Sequence, residues 1–315
     1  MNVVELRRRN RLRIFVTIVL ATISYWLAVM VAAVAVGVLI FLRILVEGAD
    51  FVTDGDTWAA IGIFFLATIV ISAVIGSLYA LVRLPLLRFR LERRVLAETG
   101  ATVEHDGEYQ RVHNLLEALA IAADIPPPRF AVVRNPAPNS FAVGTRPNRA
   151  IVAVTTGAID DLGRDELEAV LAYEVTRIGS LDVALASWTV ALTSAGIEAL
   201  NDQGVKSIVG WLPRRFAVMI QVWALRSSAR ERDIAAVDFT RNPASLLHAL
   251  EVIARDPREI DKVTAATAPL WFEVPERAYR GWDTDPKLLQ MSRELLAHRI
   301  TALREMARVG PEPHR

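Results

Sequence analysis

Residues 173–177 read Tyr-Glu-Val-Thr-Arg, which places a phenol, a carboxylate and a guanidinium within little more than one helical turn. Tyr173, with a phenol pKa of about 10, stays neutral and is a poor metal ligand. Arg177 never loses its proton in practice, and its fixed charge disfavours a dication beside it. No other metal-binding set is evident. His105, His113, His248, His298 and His314 are scattered, and none sits one helical turn from Glu174. The absence of cysteine excludes disulfides and cysteine-ligated zinc or iron–sulfur sites.

The element that carries these residues is a predicted helix over 164–178. Leu167, Val170, Leu171 and Ile178 recur at helical spacing, and Asp165 and Glu166 suit its positive N-terminal end. Upstream, a helix is predicted over 109–123, ended by Pro126, Pro127 and Pro128. Three short strands are predicted at 129–134, 140–144 and 150–155, with turns marked by Pro136, Pro138, Pro147 and Asn148. Further helices are expected at 226–239, 243–255 and 286–309. The soluble part is therefore α+β, helix-dominated, with a small sheet.

The first third of the chain is different. Residues 14–42 and 58–82 carry no charged side chain, and each run exceeds the roughly 20 residues needed to cross a bilayer. Arg7, Arg8, Arg9, Arg11 and Arg13 precede the first run, and Arg83, Arg88, Arg90, Arg93 and Arg94 follow the second. The short loop between them holds Glu47, Asp50, Asp54 and Asp56. The positive-inside rule then puts both flanks in the cytoplasm. Residues 1–96 are expected to be a two-helix membrane anchor and 97–315 a cytoplasmic domain. Residues 183–225 form an ambiguous apolar hairpin, interrupted by Lys206, Pro213, Arg214 and Arg215. A net charge of +1 gives no global field for nucleic acid.

The order of segments carries a resemblance. AIAADIPPPRFAVV (120–133), NPAPNSFAVG (135–144), AIVAVTTGAIDDL (150–162) and RDELEAVLAYEVTRIGSLD (164–182) follow two N-terminal apolar spans. This is similar to the HtpX-type membrane zinc metallopeptidases, whose last segment there reads AxxHExxHxxxxD. The resemblance implies a zincin-like domain in which two histidines and a later glutamate bind zinc, with the Glu beside the first His as general base. Mapped by residue, the His positions are Tyr173 and Arg177, the general-base position is Glu174, and the later ligand is Glu231 in SSARERDIAAVD. Asp182 matches the family's Asp beyond the motif, and Asp285-Pro286 stands where a His-Pro pair is frequent. Asn139, Ser140 and Phe141 resemble the family's edge strand, which pairs with extended peptide.

With both histidines replaced, Arg177 is expected to occupy the metal's place and to pair with Glu174 and Glu231. The family would bring zinc; this chain is expected to bring no cofactor. The function expected is a non-catalytic homologue at the cell membrane, acting in membrane protein quality control. Its expected partners are the membrane, peptide segments or membrane-protein clients, and an active family relative. The alternative is an active membrane metalloendopeptidase with an atypical metal site.

Overall fold

The computed structural model describes residues 3–47, 55–104, 107–201, 229–264, 266–279 and 286–309. Two long helices come first, α1 (Val3–Glu47) and α2 (Gly55–Thr99), and they contain the two predicted apolar runs. The described elements then run β1 (Ala101–Val103), α3 (Gln110–Ala122), β2 (Arg129–Val133), β3 (Ser140–Val143), β4 (Ile151–Thr155), α4 (Thr156–Asp161), α5 (Arg164–Gly179) and α6 (Asp182–Asn201). After them come α7 (Ala229–Thr240), α8 (Pro243–Arg255) and α9 (Pro286–Val309). The predicted hairpin over 183–225 is helical as far as Asn201, and its remainder lies outside the described residues.

The chain divides into two compact units. One comprises Met1–Phe15, Arg88–Ala191 and Gln221–Arg315; the other comprises Val16–Leu87 and Leu192–Ile220. In the second unit α1 and α2 present many exposed apolar side chains, among them Val19, Leu39, Ile63, Leu66, Ile71 and Leu81. Among the described residues no single helix is long and apolar enough to cross a membrane. α5 together with the first part of α6 passes that test as a pair bent by 74°, but these residues form the core of the first unit.

That unit is built on a four-stranded sheet of order β1-β2-β4-β3. β2 and β4 are parallel, with Arg129 opposite Ile151; β1 and β3 flank them antiparallel. β4 is buried at every position, which is why it reads as an unbroken apolar run rather than an alternation. α5 packs against α3, α7, α8 and β3, and α9 closes over α7 and α8. The start of α1 belongs here too. Leu6 and Asn10 are buried, and the Asn10 side chain donates to the Ser180 carbonyl at 3.0 Å.

Two local features aim the site. Thr155 caps α4, accepting from the Ala158 N–H at 3.1 Å, and its hydroxyl also holds Asn139 through bonds of 2.8 and 3.0 Å. Gly157 sits so close to the turn before β3 that an added Cβ would overlap the Pro136 carbonyl. Gly157→Ala should therefore cost at least about 2 kcal/mol by overpacking against backbone. Chemical denaturation of the full chain in detergent would read this, and wild-type stability would contradict it.

Candidate functional site

α5 starts with Gly163 as its N-cap, and the Glu166 carboxylate accepts the Gly163 N–H at 2.8 Å. From Ala169 to Gly179 every residue of this helix is buried. Tyr173, Glu174 and Arg177, each at most 1% exposed, thus lie in the interior, where a charge is costly unless paired. The helix ends at Ser180, and Leu181 turns the chain with φ of 63°, which delivers Asp182 back toward Arg177.

Arg177 is fully engaged. Its Nη1 donates to Glu174 Oε2 at 2.9 Å and to the Leu270 carbonyl at 2.9 Å. Its Nε donates to Asp182 Oδ2 at 3.0 Å, and Nη2 reaches the Pro269 carbonyl at 3.3 Å. The second Glu174 oxygen accepts from the Ser140 hydroxyl at 2.9 Å. Burial pushes the Glu174 carboxyl up, against Arg177 and Ser140, yet both oxygens act as acceptors, the geometry of a carboxylate. Burial likewise opposes the Arg177 charge, but Glu174 and Asp182 outweigh it and raise its pKa. Asp182 is held below the usual carboxylate range because Arg232 and Arg177 overcome its burial.

A second cluster adjoins the first. Arg299 on α9 forms a two-pronged pair with Asp233 on α7, at 3.0 Å from Nε to Oδ2 and 2.9 Å from Nη2 to Oδ1. It also donates to the Phe272 carbonyl and to Glu273, each at 2.9 Å. Its guanidinium lies 5.5 Å from the centre of the Tyr173 ring, which packs perpendicular to the Phe272 ring with centres 4.7 Å apart. Burial keeps the Tyr173 phenol neutral by raising its pKa.

This corrects one expectation. Glu231 does not reach Arg177; it pairs with Arg9 at the start of α1. The physical reason is helix period, since residues two apart point to nearly opposite faces. Asp233, 1% exposed, is the α7 carboxylate that faces inward. No burial pattern separates the two beforehand, since Ala235, one turn beyond Glu231, and Ala236, one turn beyond Asp233, are both buried.

Of Asn139, Ser140 and Phe141, Ser140 bonds Glu174, and the edge the three form is taken up by the chain itself. The Phe272 N–H donates to the Ser140 carbonyl at 2.8 Å, and Phe141 and Trp271 form an isolated antiparallel bridge. The Asn139 side chain closes two more bonds with Glu273, donating to its carbonyl at 2.8 Å and accepting its N–H at 3.3 Å. The Trp271 indole N–H is buried with no acceptor among the described residues, a cost of about 1–3 kcal/mol.

Zinc does not fit these residues. The guanidinium of Arg177 fills the space between Glu174 and Asp182, and Tyr173 is held neutral. Among the described residues no group of three or more His, Asp or Glu is placed to hold a metal ion.

Glu273 gives the site a pH response. Burial, against the pull of Arg299, raises its carboxyl from 4.5 to about 7. The folded state therefore holds this proton more tightly than the unfolded chain. That stabilisation is complete below about 4.5 and lost as pH rises through about 7. Glu273→Gln should remove about 2–3 kcal/mol of this pH dependence. Denaturation at pH 4.5 and 7.5 would test it, and identical pH profiles for the two proteins would refute it.

Residues 107–306 match Peptidase family M48. A protein named Protease HtpX homolog from Limosilactobacillus fermentum is 28% identical over 262 residues, covering 73% of this chain and 87% of the relative. One of the same name from Listeria monocytogenes is 29% identical over 264 residues, covering 71% and 84%. Another, from Limosilactobacillus reuteri, is 27% identical over 276 residues, covering 78% and 92%. With a helix-dominated domain, a small sheet and the ordered segments that frame α5, the chain belongs to peptidase family M48, among its HtpX-type members.

Proposed function

We propose that this chain is a membrane-integrated, non-catalytic HtpX-type homologue that holds extended peptide segments or membrane-protein clients at the cytoplasmic face, in membrane protein quality control. The observation that carries the non-catalytic reading is Arg177, buried and bonded to two carboxylates and two backbone carbonyls. A fixed guanidinium supplies the positive charge that these carboxylates need, and it offers no route to an activated water. Glu174 is correspondingly committed to Arg177 and Ser140 rather than poised to take a proton.

The two N-terminal helices serve as the anchor. Their exposed apolar side chains are costly in water and stable in lipid, and the arginines at both ends suit anionic headgroups on the cytoplasmic side. An active relative in the same membrane is a natural partner for a chain that has kept the fold and changed the site.

The test is hydrolysis of an unfolded protein substrate by the full chain in detergent, with and without added zinc. No cleavage above the level of Glu174→Gln is expected. Zinc-dependent cleavage that Glu174→Gln abolishes would contradict the reading.

A further inference from the structure

We propose that residues 269–273 are an exchangeable internal ligand of the peptide groove, occupying the edge of β3 until an extended peptide of similar chemistry replaces them. This rests on the peptide-binding reading above and names what the groove accepts. After a single 3-10 turn over Ala268–Leu270, the part from Trp271 to Glu273 lies antiparallel to β3, as an extended peptide would, and the segment uses the groove's own polar groups. Ser140 supplies a backbone carbonyl, Asn139 mimics a backbone pair toward Glu273, and Arg177 binds the carbonyls of Pro269 and Leu270. A guanidinium that holds two main-chain carbonyls reads backbone rather than side chain. Selectivity falls to the rings: Trp271 lies 4.8 Å from Phe141, and Phe272 meets Tyr173 edge-on. The groove therefore fits an extended peptide carrying consecutive aromatic or large apolar residues.

Two observations argue for exchange rather than a permanent fifth strand. Pairing with β3 is limited to one isolated bridge, unlike the ladders between the four strands. The Trp271 indole N–H is buried without an acceptor among the described residues, so the docked segment is left imperfectly satisfied.

The absence of cysteine makes a direct test available. With the Phe272 N–H bonded to the Ser140 carbonyl, Phe141 and Trp271 are a non-hydrogen-bonded antiparallel pair. Such pairs hold their Cα atoms at about 4.5 Å, within disulfide reach. The full chain carrying Phe141→Cys and Trp271→Cys is prepared in detergent, oxidised or reduced. A fluorescent peptide with the sequence of residues 266–275 is titrated into each. The reduced protein should bind at least about tenfold more tightly than the oxidised one, because only there can the segment leave. Failure of the disulfide to close, or equal affinity in the two states, overturns the proposal. Equal and measurable binding would leave the peptide-binding reading standing at another surface; absence of binding in both states and in the unsubstituted chain titrated alongside would count against that reading as well. Hydrogen exchange on the unsubstituted chain covers misfolding of the double variant. The Phe272 amide should exchange at least about 100-fold faster than the amides of β4, as local opening requires. A Phe272 amide as protected as β4 overturns the proposal too.

Discussion

Arg177→Ala should destabilise the domain by about 3–5 kcal/mol, the loss expected when one partner of a buried ion pair is removed. The change strands Glu174 in the interior with only the Ser140 hydroxyl as a donor, and leaves the Leu270 and Pro269 carbonyls without theirs. Asp182 suffers less, because Arg232 remains 3.3 Å away. Removing the stranded charge as well should recover about half of the loss, so Arg177→Met/Glu174→Gln should be the more stable of the two variants. Denaturant titration of the detergent-solubilised chain measures both. A cost no larger than about 0.5 kcal/mol for Arg177→Ala, the size of an ordinary surface change, would mean that the network contributes nothing.

The second large effect concerns metal. Tyr173→His/Arg177→His should convert a chain without zinc into one that takes up about one zinc per molecule, since histidines four apart on a helix meet at one ion. The uptake should be lost on adding Asp233→Ala and kept on adding Glu231→Ala. Asp233 faces the Tyr173 and Arg299 cluster, whereas Glu231 is turned toward Arg9. Zinc titration followed by elemental mass spectrometry reads all three variants. Loss with Glu231→Ala instead would restore the assignment that the family resemblance implied.

Much of this fold was legible because local signals agreed with one another. The prolines after α3, the apolar runs of β2 and β4 and the helical spacing of α5 each point to the element that forms. β1 and the short α4 were not foreseen. β1 is only three residues long, and it forms because β2 offers an edge. The pairing of Glu174 with Arg177 followed from a fixed charge standing at the family's metal-ligand position, while Asp182 as the second partner depends on the turn at Leu181, a tertiary fact. The segment 269–273 left a sequence trace, the apolar stretch Pro269, Leu270, Trp271 and Phe272. No local rule assigns such a stretch a partner more than a hundred residues away.

The most direct test of the central claim, that a guanidinium has taken the place of a metal ion, is the zinc content of the unsubstituted full chain. The protein would be purified in detergent without chelators and measured by elemental mass spectrometry. The account predicts well under one zinc per chain, unchanged by Glu174→Gln or Asp233→Ala. One tightly held zinc per chain, lost in Asp233→Ala, would contradict it and would return the site to metallopeptidase chemistry.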